Sequence, residues 1–382
     1  MRIAIVYDCL FPHTVGGAER WYRSLSERLD EGHEVSYLTR RQWEGSDPGT
    51  PFRTVAVGGG GPLYTESGRR RIGPPLRFGL GVFWHLLRHG GDYDAVHTAS
   101  FPYFSVLGAG LALRLGRRRA RLVVDWHEFW SDAYWRSYLG PVGGRVGAAV
   151  QGLCLRFPDH SFTFSRLVAE RLRERGVSGL TRLTGEYAGP ERESPVSAAS
   201  PPVAVAAARH IPEKHIDAVP AAIASARERI PELRGVILGD GPEAGAVRER
   251  VHELGLGEVV ELRGRVAADE VDAALAEASC LVHPSEREGY GLVVVEAAAS
   301  GTPAVVVAGP ENAAVELIEA GVNGEVAASR GPAELGAAIA AVVEGGDARR
   351  AATHGWYRAH RDELSLESSL AAVEAAYSAD SP

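Results

Sequence analysis

Two glutamates, Glu288 and Glu296, flank a glycine turn in the stretch His283-Pro-Ser-Glu-Arg-Glu-Gly-Tyr-Gly-Leu-Val-Val-Val-Glu-Ala-Ala-Ala-Ser-Gly-Thr-Pro303. Ahead of them, Cys280-Leu-Val-His283 reads as a short buried strand that stops at Pro284. After a loop carrying Glu286, Arg287 and Glu288, the glycines Gly289-Tyr290-Gly291 open an alanine-rich helix ending near Gly301. Glycine lets a ligand come close to the backbone, and the first amides of a helix have no intrahelical acceptor. Such a turn is a ready anion site. A carboxylate beside a bound phosphate would repel it unless the carboxylate held something else, and sugar hydroxyls are the natural candidates. A plain strand–loop–helix unit with two solvated glutamates fits the same spacing.

Further chemistry-bearing residues follow other apolar runs. The chain uses arginine almost everywhere and contains a single lysine, Lys214, in Arg209-His-Ile-Pro-Glu-Lys214. A compact ammonium and a planar guanidinium are not interchangeable, so a site that needs the ammonium would explain the survivor; chance would as well. Gly16-Gly17 follow the first predicted strand and open a helix to about Leu29, again with free amides at its start. Glu19 falls in that first turn, where a carboxylate suits the helix dipole. G-x-G-x-x-G is absent there, which argues against a dinucleotide enzyme. His127 stands at the carboxyl end of the predicted strand Arg121-Leu-Val-Val-Asp-Trp126, the edge where open α/β sheets bind ligands. Asp125, His127 and Glu128 alternate without supporting Cys or His, a poor metal set. Trp126, Phe129, Trp130, Tyr134 and Trp135 surround them, as a sugar-stacking wall or as plain core.

Taken together, Glu288-Gly-Tyr-Gly291, the second Glu296, the alanine-rich helix and Gly301-Thr-Pro303 resemble the donor-site signature of family 4 glycosyltransferases, retaining enzymes of the GT-B fold. The resemblance extends over most of the chain. It implies an α/β chain of two Rossmann-like domains facing across a cleft, with a C-terminal helix crossing back to the first. It also implies a nucleotide-sugar donor, UDP-linked, an acceptor hydroxyl on a small molecule, glycan or lipid, and no cofactor or metal. Residue by residue, Glu296 would hold ribose hydroxyls and Glu288 donor-sugar hydroxyls. Arg209, Lys214, Gly16-Gly17 and the amides of Gly289, Tyr290, Gly291 and Leu292 would hold the diphosphate. The base would meet backbone near Val266, and His127 would contact the transferred sugar. One position departs from the pattern: a glycine is usual after the lysine, and here it is His215. Two rivals are an inverting enzyme with His13 as base and a non-catalytic nucleotide-sugar binder.

The elements that must position these residues divide into residues 1–187 on the acceptor side, a Pro/Ser/Ala-rich linker over 188–202, and a donor-binding domain over 203–359. Residues 360–382 are expected to pack back on the first domain. Strands are expected at Arg2–Asp8, Glu34–Thr39, Thr54–Val57, Arg121–Trp126, Ser161–Ser165, Val203–Ala207, from Arg234, around Val259–Val266 and at Pro303–Ala308. Helices are expected at Leu76–Arg88, Arg166–Arg175, after Lys214 until Pro231, at Ala268–Ala278, around Ala313–Ala320 and from about Trp356. The 382 residues suffice for two cores.

The formal charge of -8 is uneven. Residues 1–190 hold 25 Arg against 18 Asp and Glu, net +7; the rest holds 16 Lys and Arg against 31 acids, net -15. The basic half is the one to meet an anionic acceptor or membrane, through Arg69-Arg70-Arg71 and the Phe- and Trp-bearing helix after it, unless these are ordinary solvated surface. Arg117-Arg-Arg-Ala-Arg121 most simply marks a helix end and its turn. Nucleic acid is not expected as a partner. Cys9, Cys154 and Cys280 are scattered without disulfide or metal spacing, so a reducing cytoplasm is expected. Met1–Tyr7 is too short and badly flanked for a signal peptide, so none is expected, and no apolar run approaches the ~18–20 residues of a membrane span.

Overall fold

The structure is a computed structural model and describes residues 1–63, 65, 71–116, 120–190 and 192–378. Two compact units emerge. The first takes Met1–Thr65, Arg69–Glu186 and Ser365–Pro382, and the second Tyr187–Leu364.

In the first unit, strands β1 (Arg2–Val6), β2 (Glu34–Arg40), β3 (Arg53–Gly58), β4 (Ala95–Ala99), β5 (Arg121–Trp126), β6 (His160–Thr163) and β7 (Leu180–Arg182) form one parallel sheet in the order β3-β2-β1-β4-β5-β6-β7. Ile3–Val6 and all of β4 are buried, as expected of central strands covered on both faces. The helices are α1 (Gly17–Asp30), α2 (Gly73–His89), α3 (Tyr103–Leu115), α4 (Asp132–Cys154) and α5 (Arg166–Glu174).

Helices α2 and α3 approach through glycines. A methyl at Gly108 would collide with the Gly79 carbonyl, and one at Gly79 with the Phe104 backbone. Gly108→Ala should therefore overpack the crossing and cost about 1–3 kcal/mol in denaturant unfolding, with an unchanged m-value.

Helix α4 is absent from the sequence expectations. It is two helices joined at Gly140, whose φ of 75° breaks the ladder just before Pro141. Its packing decides the aromatic cluster in favour of core: Trp126, Phe129, Trp130 and Trp135 are buried, and Gln151 accepts from the Trp135 indole and the Trp130 amide. They form no exposed sugar-stacking wall. Arg69, Arg70 and Arg117–Arg119 lie outside the described residues; Arg71 donates its amide to the Leu63 carbonyl.

In the second unit, β8 (Val203–Ala207), β9 (Arg234–Leu238), β10 (Val260–Gly264), β11 (Cys280–His283), β13 (Ala304–Val307) and β15 (Gly324–Ala327) form a parallel sheet in the order β10-β9-β8-β11-β13-β15. A separate two-residue ladder joins β12 (Arg287–Glu288) and β14 (Glu311–Asn312). The helices are α6 (Val219–Ala226), α7 (Ala244–Glu253), α8 (Ala268–Glu277), α9 (Leu292–Ala299), α10 (Pro332–Glu344) and α11 (Gly346–Leu364). The chain then returns to the first unit as α12 (Leu366–Ser378).

Three expectations need correction. The helix expected around Ala313–Ala320 is a 3₁₀ turn, Ala313–Leu317, because Asn312 Oδ1 already accepts the Ala314 amide and β14 ends immediately before it. Glu286–Glu288 is not simply loop, since Arg287 and Glu288 pair with Glu311 and Asn312. Residues 188–202 form no helix or strand where described, yet they are strapped to the second unit. The buried Arg350 guanidinium donates to the carbonyls of Val196, Ala276, Ala278 and Ser300 and to Thr302 Oγ1, and His354 Nε2 donates to the Arg192 carbonyl.

Candidate active site

Strand order places the chemistry. In each sheet the order reverses once, between β1 and β4 in the first and between β8 and β11 in the second. Ligands of open α/β sheets bind beyond the carboxyl ends at such a point. In the second unit those ends carry Arg209–Lys214 after β8 and Ser285–Glu288 after β11. In the first they carry the loop from Asp8 to Gly17 after β1, with His127 one strand further along after β5.

The two loops of the second unit are stitched together by two ion pairs and a histidine–carboxylate contact. Glu213 meets Arg287 at 2.8 Å, Lys214 Nζ meets Glu288 Oε2 at 2.5 Å, and His215 Nε2 lies 3.0 Å from Glu286 Oε2. The Glu286 amide also donates to the Glu213 carbonyl. His283, buried at the end of β11, adds a second donor to Glu288 Oε2 at 2.8 Å, and Ser285 Oγ lies 3.1 Å from the same ring nitrogen. Burial pushes the Glu288 pKa up, but the Lys214 ammonium and the His283 ring outweigh it and hold the carboxyl well below the usual carboxylate range. The pairing thus favours the ionised form of Glu288 at neutral pH.

His215 is accommodated rather than disruptive. It is left-handed, with φ 48°, at the position where the resembling family usually has glycine. Histidine tolerates this region better than most residues, and the Glu286 contact holds the side chain.

Gly291 begins α9 in the left-handed region (φ 104°), and a methyl there would collide with the Ala314 side chain, so only glycine fits. No side chain caps the helix, and of its first-turn amides that of Val294 turns back to the Gly291 carbonyl at 2.8 Å. Gly289 and Tyr290 are buried; Leu292 and Glu296 are half-buried on α9, with Glu296 just over one turn into the helix. Arg209 is exposed at the end of β8, and Val266 is half-buried just beyond β10.

In the first unit, Gly16 is the extended N-cap of α1 (φ -179°) and has no capping side chain. A Cβ here would meet the carboxylate of Glu19, which is buried over the start of the helix and would have to shift. Gly17 has open space around it. His13 is exposed, its Nε2 3.0 Å from the Pro48 carbonyl.

His127 stacks on Phe164 at 4.6 Å and 3°, with the Tyr22 ring edge-on at 5.8 Å. Its Nδ1 lies 3.7 Å from Glu186 Oε1, and its buried Nε2 has no hydrogen-bond partner among the described residues. Burial pushes the His127 pKa down, but Glu186 beside it, with Asp125 and Glu128 further off, raises it above the ordinary histidine value. The ring nitrogen is thus a buried polar atom without a partner among the described residues. Asp125 is fully buried and takes three hydrogen bonds, from His97, Trp21 and Tyr22, so it is spoken for as a structural anion. Among the described residues no group of three His, Cys, Asp or Glu is arranged to hold a metal ion.

Sequence reasoning did not find His97, Glu186, His283 or the Glu213–Arg287 and His215–Glu286 pairs. A histidine inside the apolar run Ala95-Val-His-Thr-Ala99 is the one local sign that a buried polar network existed.

Two family models match this chain. Residues 16–182 fit the "Glycosyl transferase 4-like domain" and residues 190–355 fit "Glycosyl transferases group 1". The chain belongs to the family 4 glycosyltransferases. Similar solved structures give this glycosyltransferase the GT-B fold. The sucrose-phosphate synthase of Thermosynechococcus elongatus superposes with a TM-score of 0.77 at 19% identity, over 98% of each chain. Anabaena HepE in complex with UDP and glucose superposes at 0.70 and 18%, also over 98% of each.

In sequence, the glycosyltransferase is 32% identical over 149 residues to a GDP-mannose-dependent alpha-(1-6)-phosphatidylinositol monomannoside mannosyltransferase of Mycobacterium tuberculosis. It is 37% identical over 93 residues to the GtfA subunit of a UDP-N-acetylglucosamine–peptide N-acetylglucosaminyltransferase of Streptococcus parasanguinis. These matches take in 37% and 24% of this chain, and 38% and 18% of the respective relatives, so the chain spans less than two fifths of the length of either.

Proposed function

We propose that the glycosyltransferase moves a sugar from a UDP-linked donor to an acceptor hydroxyl with retention of configuration and without a metal ion. The observation that carries this reading is the ionised Glu288, locked by Lys214 and His283 directly before the uncapped start of α9. A fixed anion next to an anion-binding helix start suits a ligand with neutral hydroxyls on one side and phosphates on the other. Glu288 holds the donor-sugar hydroxyls and Glu296 the ribose hydroxyls. The backbone near Val266 meets the base, and His127 offers Nε2 to the transferred sugar. Lys214 has three N–H donors, so it can keep Glu288 and reach the diphosphate as well.

In the reaction the bond between the anomeric carbon and the phosphate oxygen breaks and the bond to the acceptor oxygen forms. The acceptor proton passes to the departing phosphate. Negative charge grows on that phosphate, where Arg209, Lys214, the amides of Gly289 to Leu292 and those of Gly16 and Gly17 stabilise it. Because these groups meet the charge, excess EDTA should leave turnover unchanged.

Thermal shift with nucleotides tests the donor. UDP at saturating concentration should raise the melting temperature, and more in the wild type than in Glu296→Ala. Stabilisation by GDP alone would change the base, and none by either nucleotide would remove the donor site.

The acceptor side is proposed to meet a membrane. Ile72, Leu76, Leu80 and Trp84 are exposed, spaced by four along and just before α2, a stripe on one face. Arg77 and Arg88 share that helix, and α2 and α3 contain no acidic residue. An anionic lipid surface complements both features. No helix among the described residues is long and apolar enough to cross a membrane. The three cysteines are buried and free, which suits the proposed cytoplasmic location.

A further inference from the structure

Helix α12 ends on a buried polar chain that leads to His127. Tyr377 Oη lies 2.6 Å from His97 Nδ1, and His97 Nε2 lies 2.6 Å from Asp125 Oδ1. Asp125 Oδ2 accepts from the Trp21 indole at 2.9 Å and the Tyr22 hydroxyl at 2.8 Å. All five side chains are buried.

The carboxylate sets one end of the chain. The Asp125 carboxylate only accepts, so His97 carries its proton on Nε2. In the neutral ring Nδ1 is then the acceptor and the Tyr377 hydroxyl donates to it; in the imidazolium the direction reverses, and the contact is kept either way. With the neutral ring, every donor in the chain has one acceptor.

The rings held by Asp125 are the ones around His127. Tyr22 is edge-on to the His127 ring, while Trp21 packs edge-on at 5.0 Å against Phe164, on which His127 stacks. A second route runs along the other side of the same imidazole. Ser369 of α12 donates to the Gly185 carbonyl at 2.6 Å and accepts the Gly185 amide at 3.2 Å. Gly185 immediately precedes Glu186, the carboxylate facing His127 Nδ1. The helix is tied down further by Glu367 to Arg28 at 3.0 Å and Glu374 to His33 at 3.1 Å.

We propose that Tyr377 and Ser369 are positioning residues for His127, so that the docking of the last helix sets the orientation of the imidazole offered to the sugar. The inference rests on the proposed role of His127 for its kinetic consequence, but not for its structural one. Rigid fixing of a contact residue is worth much in a transfer reaction, because small misplacements of a reacting group are costly.

The test uses the full chain with ¹⁵N-histidine labelling. Tyr377→Phe keeps the ring and removes one hydroxyl. It should shift the His127 ring signals of the ligand-free protein and lower kcat roughly tenfold, with no further loss when combined with His127→Ala. If the two substitutions multiply independently, or if the His127 signals stay in place, the inference fails. If His127→Ala alone leaves turnover intact, the sugar-contact role fails instead, and the ring signals still decide the positioning. Ser369→Ala carries the same comparison if Tyr377→Phe does not fold.

Discussion

Lys214→Ala should lower kcat by about 10²–10³-fold, the usual consequence of removing one donor from a developing oxyanion. The structure adds a second cost. Lys214 Nζ lies 2.5 Å from Glu288 Oε2, and both side chains are only 17% exposed, so alanine leaves a largely buried carboxylate with His283 alone. Breaking a pair of this kind costs about 3 kcal/mol of stability, visible as a lowered denaturation midpoint. Lys214→Arg should restore part of the stability but little of the rate. A planar fork is wider than an ammonium, and this pocket is already crowded by the Glu213–Arg287 and His215–Glu286 pairs. Steady-state kinetics with urea unfolding on both variants separates the two effects. Wild-type turnover in Lys214→Ala would show that the lysine serves the fold alone.

Glu288→Gln should reduce turnover by at least a further ~10²-fold and change the pH dependence of stability. The sign follows from the depressed pKa. A carboxylate whose folded pKa lies below its unfolded value contributes stability that is fully present above the unfolded value, near 4.3 for glutamate. That contribution drains away as pH falls through the interval toward the folded pKa. The wild type should therefore lose stability faster than Glu288→Gln as pH drops from about 5 to 3. Parallel acid limbs for the two proteins would mean that Lys214 and His283 do not hold the Glu288 charge.

Much of the fold could be read along the chain because parallel strands buried on both faces leave apolar runs. Val203–Ala207 and Arg121–Trp126 have the expected bounds for this reason. Helix α4 escaped because Gly140 and Pro141 sit in its middle and mimic a loop, and the turn at Ala313 because alanines favour helix until Asn312 caps them otherwise. Local structure around Glu288 was legible too: the strand Cys280–His283, the glycine turn and the helix Leu292–Ala299 follow one another as read. What could not be read was pairing across distance. Nothing local says that Glu213, Lys214 and His215 will face Arg287, Glu288 and Glu286, or that a tyrosine near the end of the chain will meet His97. Those contacts depend on strand order, which places β8 beside β11 and β4 beside β5.

The central claim is sugar transfer from a nucleotide donor with retention, through the site built on Glu288. The most direct measurement follows the anomeric proton of the sugar by ¹H NMR during turnover of an α-linked UDP-sugar, with a panel of hydroxyl acceptors and water as the final acceptor. An α-linked product at the earliest times, absent with Glu288→Gln, is the predicted result. A β-linked product at those times, or transfer that proceeds unchanged in Glu288→Gln, would contradict it.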